Sequence, residues 1–146
     1  MSFLKNNENP KFTWGVSSAA YQIEGGWKSD GKSKSVWDVF SNTKNKIYKN
    51  QNGNISCDFY HRYEQDFALM HQLGIPNYRF SLSWSRIIPS GKGSVNYAGI
   101  DFYNHVIDSC LSHGIEPWIT IYHWDMPYDL EKKGGCTNRK IIRVNW

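Results

Sequence analysis

At 146 residues the chain has room for one domain with a sizeable core. A balance of 17 Lys plus Arg against 13 Asp plus Glu leaves a net charge of +4, and the basic residues Lys28, Lys32, Lys34, Lys44, Lys46 and Lys49 gather among Ser, Asn and Gly, as a solvated loop does; no nucleic-acid-binding module pattern accompanies them, so no nucleic-acid partner is expected. Three cysteines, Cys57, Cys110 and Cys136, stand far apart, which argues against a disulfide framework and a zinc knuckle and suits a reducing compartment.

In chain order, "MSFLKNNENPK" (residues 1–11) reads as an N-terminal extension without the apolar stretch of a signal peptide. No segment approaches membrane-spanning length, so a cytoplasmic location without membrane association is the expectation. Phe12 to Val16 is short, apolar and aromatic, a first strand, and the small residues Ser17 to Ala20 follow. Tyr21-Gln22-Ile23-Glu24 leads into a polar, Gly-rich stretch over 28–55. Val36 to Phe40 interrupts it with one or two helical turns. From Ser56, Phe59, Tyr63, Phe67, Met70 and Leu73 recur at helical spacing, a stripe that reads as core, and Gly74 stops the helix before Pro76. Tyr78, Phe80, Leu82 and Trp84 then alternate with Arg79, Ser81 and Ser83, a strand. A second helix runs from about Asn96 to Leu111, with Ile100, Tyr103, Val106, Ile107, Cys110 and Leu111 inward, and ends at Gly114. Glu116 to Tyr122 is a third strand, and Asp129 to Lys133 starts a further helix.

Strands alternating with helices predict an α/β fold with parallel strands and crossover helices. Ligands of such folds sit at the C-terminal ends of the strands. Gln22 and Glu24 follow the first strand; Trp84, Ser85 and Arg86 the second; His123, Trp124 and Asp125 the third. The amide of Gln22 and the imidazole of His123 donate and accept, and Trp124 offers a flat apolar face. That set suits the neutral hydroxyls of a sugar ring. The 16% aromatic content is read first as core and second as a sugar platform. Neither GxxxxGK[ST] nor GxGxxG occurs, so no phosphate cradle is expected. The set also lacks a nucleophilic Cys or Ser with a neighbouring base. Arg79 has two readings: ordinary if its face meets solvent, or pointing into a closed barrel and holding a carboxylate ionised.

Four stretches resemble glycoside hydrolase family 1, the β-glucosidase family: "FTWGVSSAAYQIEGG" (12–26), "YRFSLSWSRIIP" (78–89), "GIDFYNHVID" (99–108) and "EPWITIYHWDMP" (116–127). The animal cytosolic and lactase-like members are nearest in style. The resemblance implies a partial (β/α)8 barrel, about the first three βα units, with residues 1–146 as the N-terminal portion of a single hydrolase domain. It implies retaining hydrolysis of β-linked glucosides or galactosides, with no metal or organic cofactor. Gln22 and His123 should hydrogen-bond sugar hydroxyls, Trp124 should line the same subsite, and Arg79 should contact the nucleophilic carboxylate. Retaining glycosidases use two carboxyls about 5–5.5 Å apart, but the resemblance gives Glu24 and Asp125 neither role; both should position loops and neighbouring donors.

Three departures from the family pattern stand out. Ser33 and Lys34 replace the usual Gly and Pro, which predicts a looser loop. Cys136 replaces a usual Trp, a loss of packing. Neither catalytic motif, the Asn-Glu-Pro acid/base nor the later nucleophile Glu, occurs in the sequence, so the chain is expected to hydrolyse nothing alone. The alternatives are a non-catalytic sugar-binding or receptor-type homologue and a truncated non-functional product.

Overall fold

The computed structural model describes residues 12–144, with side chains to Ile141; the 1–11 extension lies outside the described residues. Three strands form one sheet in sequence order, β1 (Val16–Ser17), β2 (Asn77–Ser81) and β3 (Glu116–Thr120), and both pairings are parallel. Between β1 and β2 lie α1 (Ala20–Ile23), α2 (Val36–Asn42) and α3 (Phe59–Gln72). Between β2 and β3 lie α4 (Trp84–Ile87) and α5 (Tyr97–Ser112); α6 (Tyr128–Glu131) and α7 (Arg139–Val144) follow. Among the described residues no helix is long and apolar enough to cross a membrane.

The crossover helices α3 and α5 end in the same way. Gly74 and Gly114 each take a left-handed φ of 71°, which costs glycine little. Ile75 then donates to the Met70 carbonyl at 3.0 Å, and Ile115 to the Cys110 carbonyl at 3.1 Å. This closure satisfies carbonyls that the helix end would otherwise leave open. It also hands the chain directly to β2 and β3, which is why both strands start in register, Asn77 opposite Glu116.

The core lies on the helix side of the sheet. Tyr78 and Phe80 pack on Phe59 and Phe67 of α3 and on Phe102, Tyr103, Val106 and Cys110 of α5. Each such side chain contributes roughly 1.5–3 kcal/mol by leaving water. The α3 stripe holds for Phe59 to Met70 but not for Leu73, which caps the helix and is 57% exposed. On α5 the buried face is rotated from the predicted one: Phe102 is buried and Leu111 is exposed. An i, i+3, i+4 pattern fixes a face only to about one residue in either direction, and α3 packs on the side where Phe102 meets Tyr60 and Tyr63.

Several boundaries differ from expectation. β1 is Val16–Ser17 alone; residues 13–15 are coil, tied by Asn77 Nδ2 donating to the Trp14 carbonyl at 2.6 Å. α3 begins at Phe59, not Ser56, because Ser56 and Asp58 take left-handed φ values of 53° and 56° and turn the chain first. β2 stops at Ser81, since the Ser83 N–H goes to Tyr103 Oη at 2.6 Å instead of a ladder partner, and Trp84 enters α4. β3 loses its neighbour at the same level and stops at Thr120, not Tyr122. The Ser33-Lys34 loop is pinned, not loose. Ser33 N–H donates to the Ser85 carbonyl at 3.0 Å and its hydroxyl to the Pro89 carbonyl, a bond glycine could not make. The Lys34 carbonyl accepts from Tyr128 N–H at 2.9 Å. Ser35 then caps α2 in a capping box with Asp38. Cys136 is exposed.

Candidate functional site

Parallel pairing puts the exits of β1, β2 and β3 on one rim. Register decides which β2 side chains look away from the helices. Tyr78 and Phe80 face the core, so Asn77, Arg79 and Ser81 take the other face by period-two alternation. Glu116, Trp118 and Thr120 share that face, because Arg79 pairs with Trp118 and Ser81 with Thr120. Arg79 thus lines an open cleft of about 370 Å³ with Ser17, Asn77 and Trp118, on the side of the sheet that carries no helix.

Arg79 reaches up the sheet to the rim. Its Nη1 lies 3.4 Å from Thr120 Oγ1 and 3.4 Å from His123 Nδ1. A guanidinium only donates, so Nδ1 accepts and the imidazole carries its proton on Nε2. Arg79 makes no ion pair among the described residues. Trp124 tilts against the His123 ring at 5.7 Å between centroids and is 70% exposed. Its φ of 67° is unusual for a bulky residue; such strain costs on the order of 1–3 kcal/mol and gathers at functional sites. Gln22, on α1, lines a different groove with Tyr21, Trp37 and Gln51, and its carbonyl accepts from the Ser56 hydroxyl. The structure thus joins Arg79, His123 and Trp124, and does not join Gln22 to them.

Behind the rim lies a buried network that centres on Arg86, whose partner sequence analysis did not foresee. Arg86 is fully buried. Its Nε donates to Glu24 Oε1 at 2.6 Å, and Nη1 and Nη2 reach the Ser29 and Gly26 carbonyls at 3.3 and 3.2 Å. The guanidinium lies 4.4 Å from the Tyr60 ring centroid. Tyr103 Oη donates to Glu24 Oε2 at 2.7 Å. Burial, then the Glu24 charge, holds that phenol protonated well above its ordinary range. Glu24 therefore ties α1, α4 and α5 together and is committed to structure, as expected. The signal for Arg86 was available: a buried guanidinium needs an anion, and Glu24 stands at the neighbouring strand's exit. Asp125 is also buried, and burial pushes its carboxyl up to about 6.

The parallel β/α sheet thus carries a rim of hydrogen-bonding and aromatic side chains at its strand exits. The family model "Glycosyl hydrolase family 1" matches residues 5–145, and the chain belongs to that family. It is 54% identical over 132 residues to the aryl-phospho-beta-D-glucosidase BglC of Bacillus subtilis, covering 90% of this chain and 28% of the relative. It is 50% identical over 140 residues to Beta-glucosidase 42 of Arabidopsis thaliana, covering 94% and 29%. The solved family 1 β-glucosidase of Thermotoga maritima superposes with a TM-score of 0.88 at 48% identity, covering 90% of this chain and 30% of that one. The chain thus spans under a third of the length of these relatives. Its α/β fold is that of the N-terminal part of a family 1 TIM barrel. These relatives are bacterial and plant, and they give no support to the animal cytosolic and lactase-like style.

Proposed function

We propose that this chain supplies the first three βα units of a retaining β-glycosidase that acts on a β-linked glucoside or galactoside. The observation that carries the reading is the Arg79–His123 contact at the strand exits, which leaves one imidazole N–H and one exposed indole facing outward. His123 Nε2–H donates to a sugar hydroxyl, and Trp124 covers the ring's apolar face. Arg79, free of any carboxylate within the described residues, keeps the attacking carboxylate ionised and placed. That carboxylate attacks the anomeric carbon while a carboxylic acid protonates the departing glycosidic oxygen. This sequence matches neither the acid/base nor the nucleophile motif, so the chain alone turns over nothing. The free thiols Cys57, Cys110 and Cys136 accord with a cytoplasmic setting.

Glucoimidazole, which is bound in a solved complex of the Thermotoga maritima enzyme, is the probe. Added to the 146-residue chain, it should shift the NMR resonances of the His123 and Trp124 rings. The shifts should vanish in His123→Ala. Rings that stay unmoved at saturating probe overturn the site assignment. Measurable turnover of an aryl β-glucoside by the purified chain overturns its catalytic incompleteness.

A further inference from the structure

Asp125 is 2% exposed, and neither of its carboxylate oxygens has a hydrogen-bond partner among the described residues. The other buried carboxylates are held: Glu24 by Arg86 and Tyr103, Asp38 by Lys32 and Ser35. A buried polar group left open is costly, and in a native fold it asks for an explanation. Asp125 lines a tight crevice of about 10 Å³ with Glu24, Lys32, Asp38 and Ser83.

Its chain neighbours show what it can control. Just before it stands Trp124 in its left-handed backbone. Just after it, Met126 and Pro127 are buried and pinned: the Met126 carbonyl accepts from Val36 N–H at 2.9 Å, and Pro127 bridges to Ser35. His123 and Trp124 therefore hang between the last ladder pair at Thr120 and an anchor that begins with Asp125.

We propose that Asp125 is a positioning residue for the His123–Trp124 turn, one that seats the turn as a neutral acid and loosens it as a carboxylate. A proton converts Asp125 from an acceptor into a donor facing Glu24 and Ser83. Without the proton, its charge has no ion-pair partner of its own: Lys32, the cation in the crevice, is bonded to Asp38. Glu24, at the end of α1, is neutralised by Arg86; Asp38 of α2 is neutralised by Lys32. Tyr122, in the same segment, keeps its phenol neutral, pushed up to about 12 by burial. The Asp125 N–H, the Ser83 hydroxyl and the Lys32 charge favour the carboxylate, but neither of the first two reaches hydrogen-bond geometry, and burial together with the Glu24 charge outweighs all three. The purpose assigned to the turn rests on the proposed sugar site; the turn's response to the proton does not.

NMR titration of the 146-residue chain tests this. The Trp124 indole N–H and the Asp125 carboxyl carbon should titrate together, with a midpoint near pH 6. His123→Gln should keep that titration, which separates it from protonation of the imidazole. Asp125→Asn should abolish it and hold Trp124 at its low-pH position. A Trp124 titration that survives in Asp125→Asn overturns the proposal. So does a wild-type Trp124 midpoint different from that of Asp125, a comparison that needs no variant to fold. Glucoimidazole at one pH separates the two readings: a coupled titration without any glucoimidazole-induced shift keeps the positioning and removes the sugar site.

Discussion

Arg86 and Arg79 sit seven residues apart on consecutive elements and live in different surroundings. Arg86 is fully buried, stacks on Tyr60, and has a carboxylate at 2.6 Å. Arg79 is half-buried, with two contacts at 3.4 Å and no carboxylate partner among the described residues. The first guanidinium is saturated by its own fold; the second keeps donors in reserve. The difference separates a residue that builds the rim from one placed to meet something at it.

Breaking the saturated side should have the largest effect. Glu24→Ala leaves Arg86 charged, buried and alone, and should cost about 3–5 kcal/mol. That is a large share of a typical domain's stability, so urea denaturation should show a chain at or near unfolding. Asp125→Asn comes next and should act in the opposite sense. The native carboxyl titrates near 6 against an ordinary 3.8. Between those values the native state holds a proton that the unfolded chain has released, so stability falls as pH rises from about 4 to 6 and stays low above. At roughly 1.4 kcal/mol per unit, the full loss is about 3 kcal/mol. Denaturation midpoints across pH should show that slope in the wild type and a flatter curve in Asp125→Asn, which should be the more stable above pH 6.

Tyr103→Phe removes the donor to Glu24 and the acceptor of the Ser83 N–H, for about 1–3 kcal/mol, read in the same denaturant series. Arg79→Met should shift stability by under about 1 kcal/mol, as changes away from buried networks do. Yet it should abolish the glucoimidazole-induced shift at His123. A loss from Arg79→Met as large as that from Glu24→Ala would erase the contrast between the two arginines.

Periodicity and punctuation made the elements of this fold legible. Gly74 and Gly114 mark their helix ends in the sequence and in space, and the alternation of Tyr78 and Phe80 with Arg79 sorts the two faces of β2. What sequence reading missed depends on partners distant along the chain. β2 ends early because Ser83 finds Tyr103 on α5. Ser33 and Lys34, marks of a loose loop on residue type alone, are held by Ser85, Pro89 and Tyr128. Of the candidate site, the juxtaposition of Arg79 with His123 follows from two strand exits in register. The placement of Gln22 beside Trp37 and Gln51 follows from the path of the 28–55 loop, for which no periodic pattern exists.

β3 pairs with β2 on one side, and among the described residues nothing pairs with its other side. Both faces there are open as well: Trp118 is 52% exposed, and Ile119 beside it 41%. Glu116 nevertheless puts a charge on that strand, and Pro117 has no N–H to offer its open side, the two devices that blunt an edge against another strand. Purified, this chain should resist edge-to-edge stacking and stay in solution. Glu116→Thr with Pro117→Val, which removes the charge and restores an outward amide, should make it aggregate, read by light scattering.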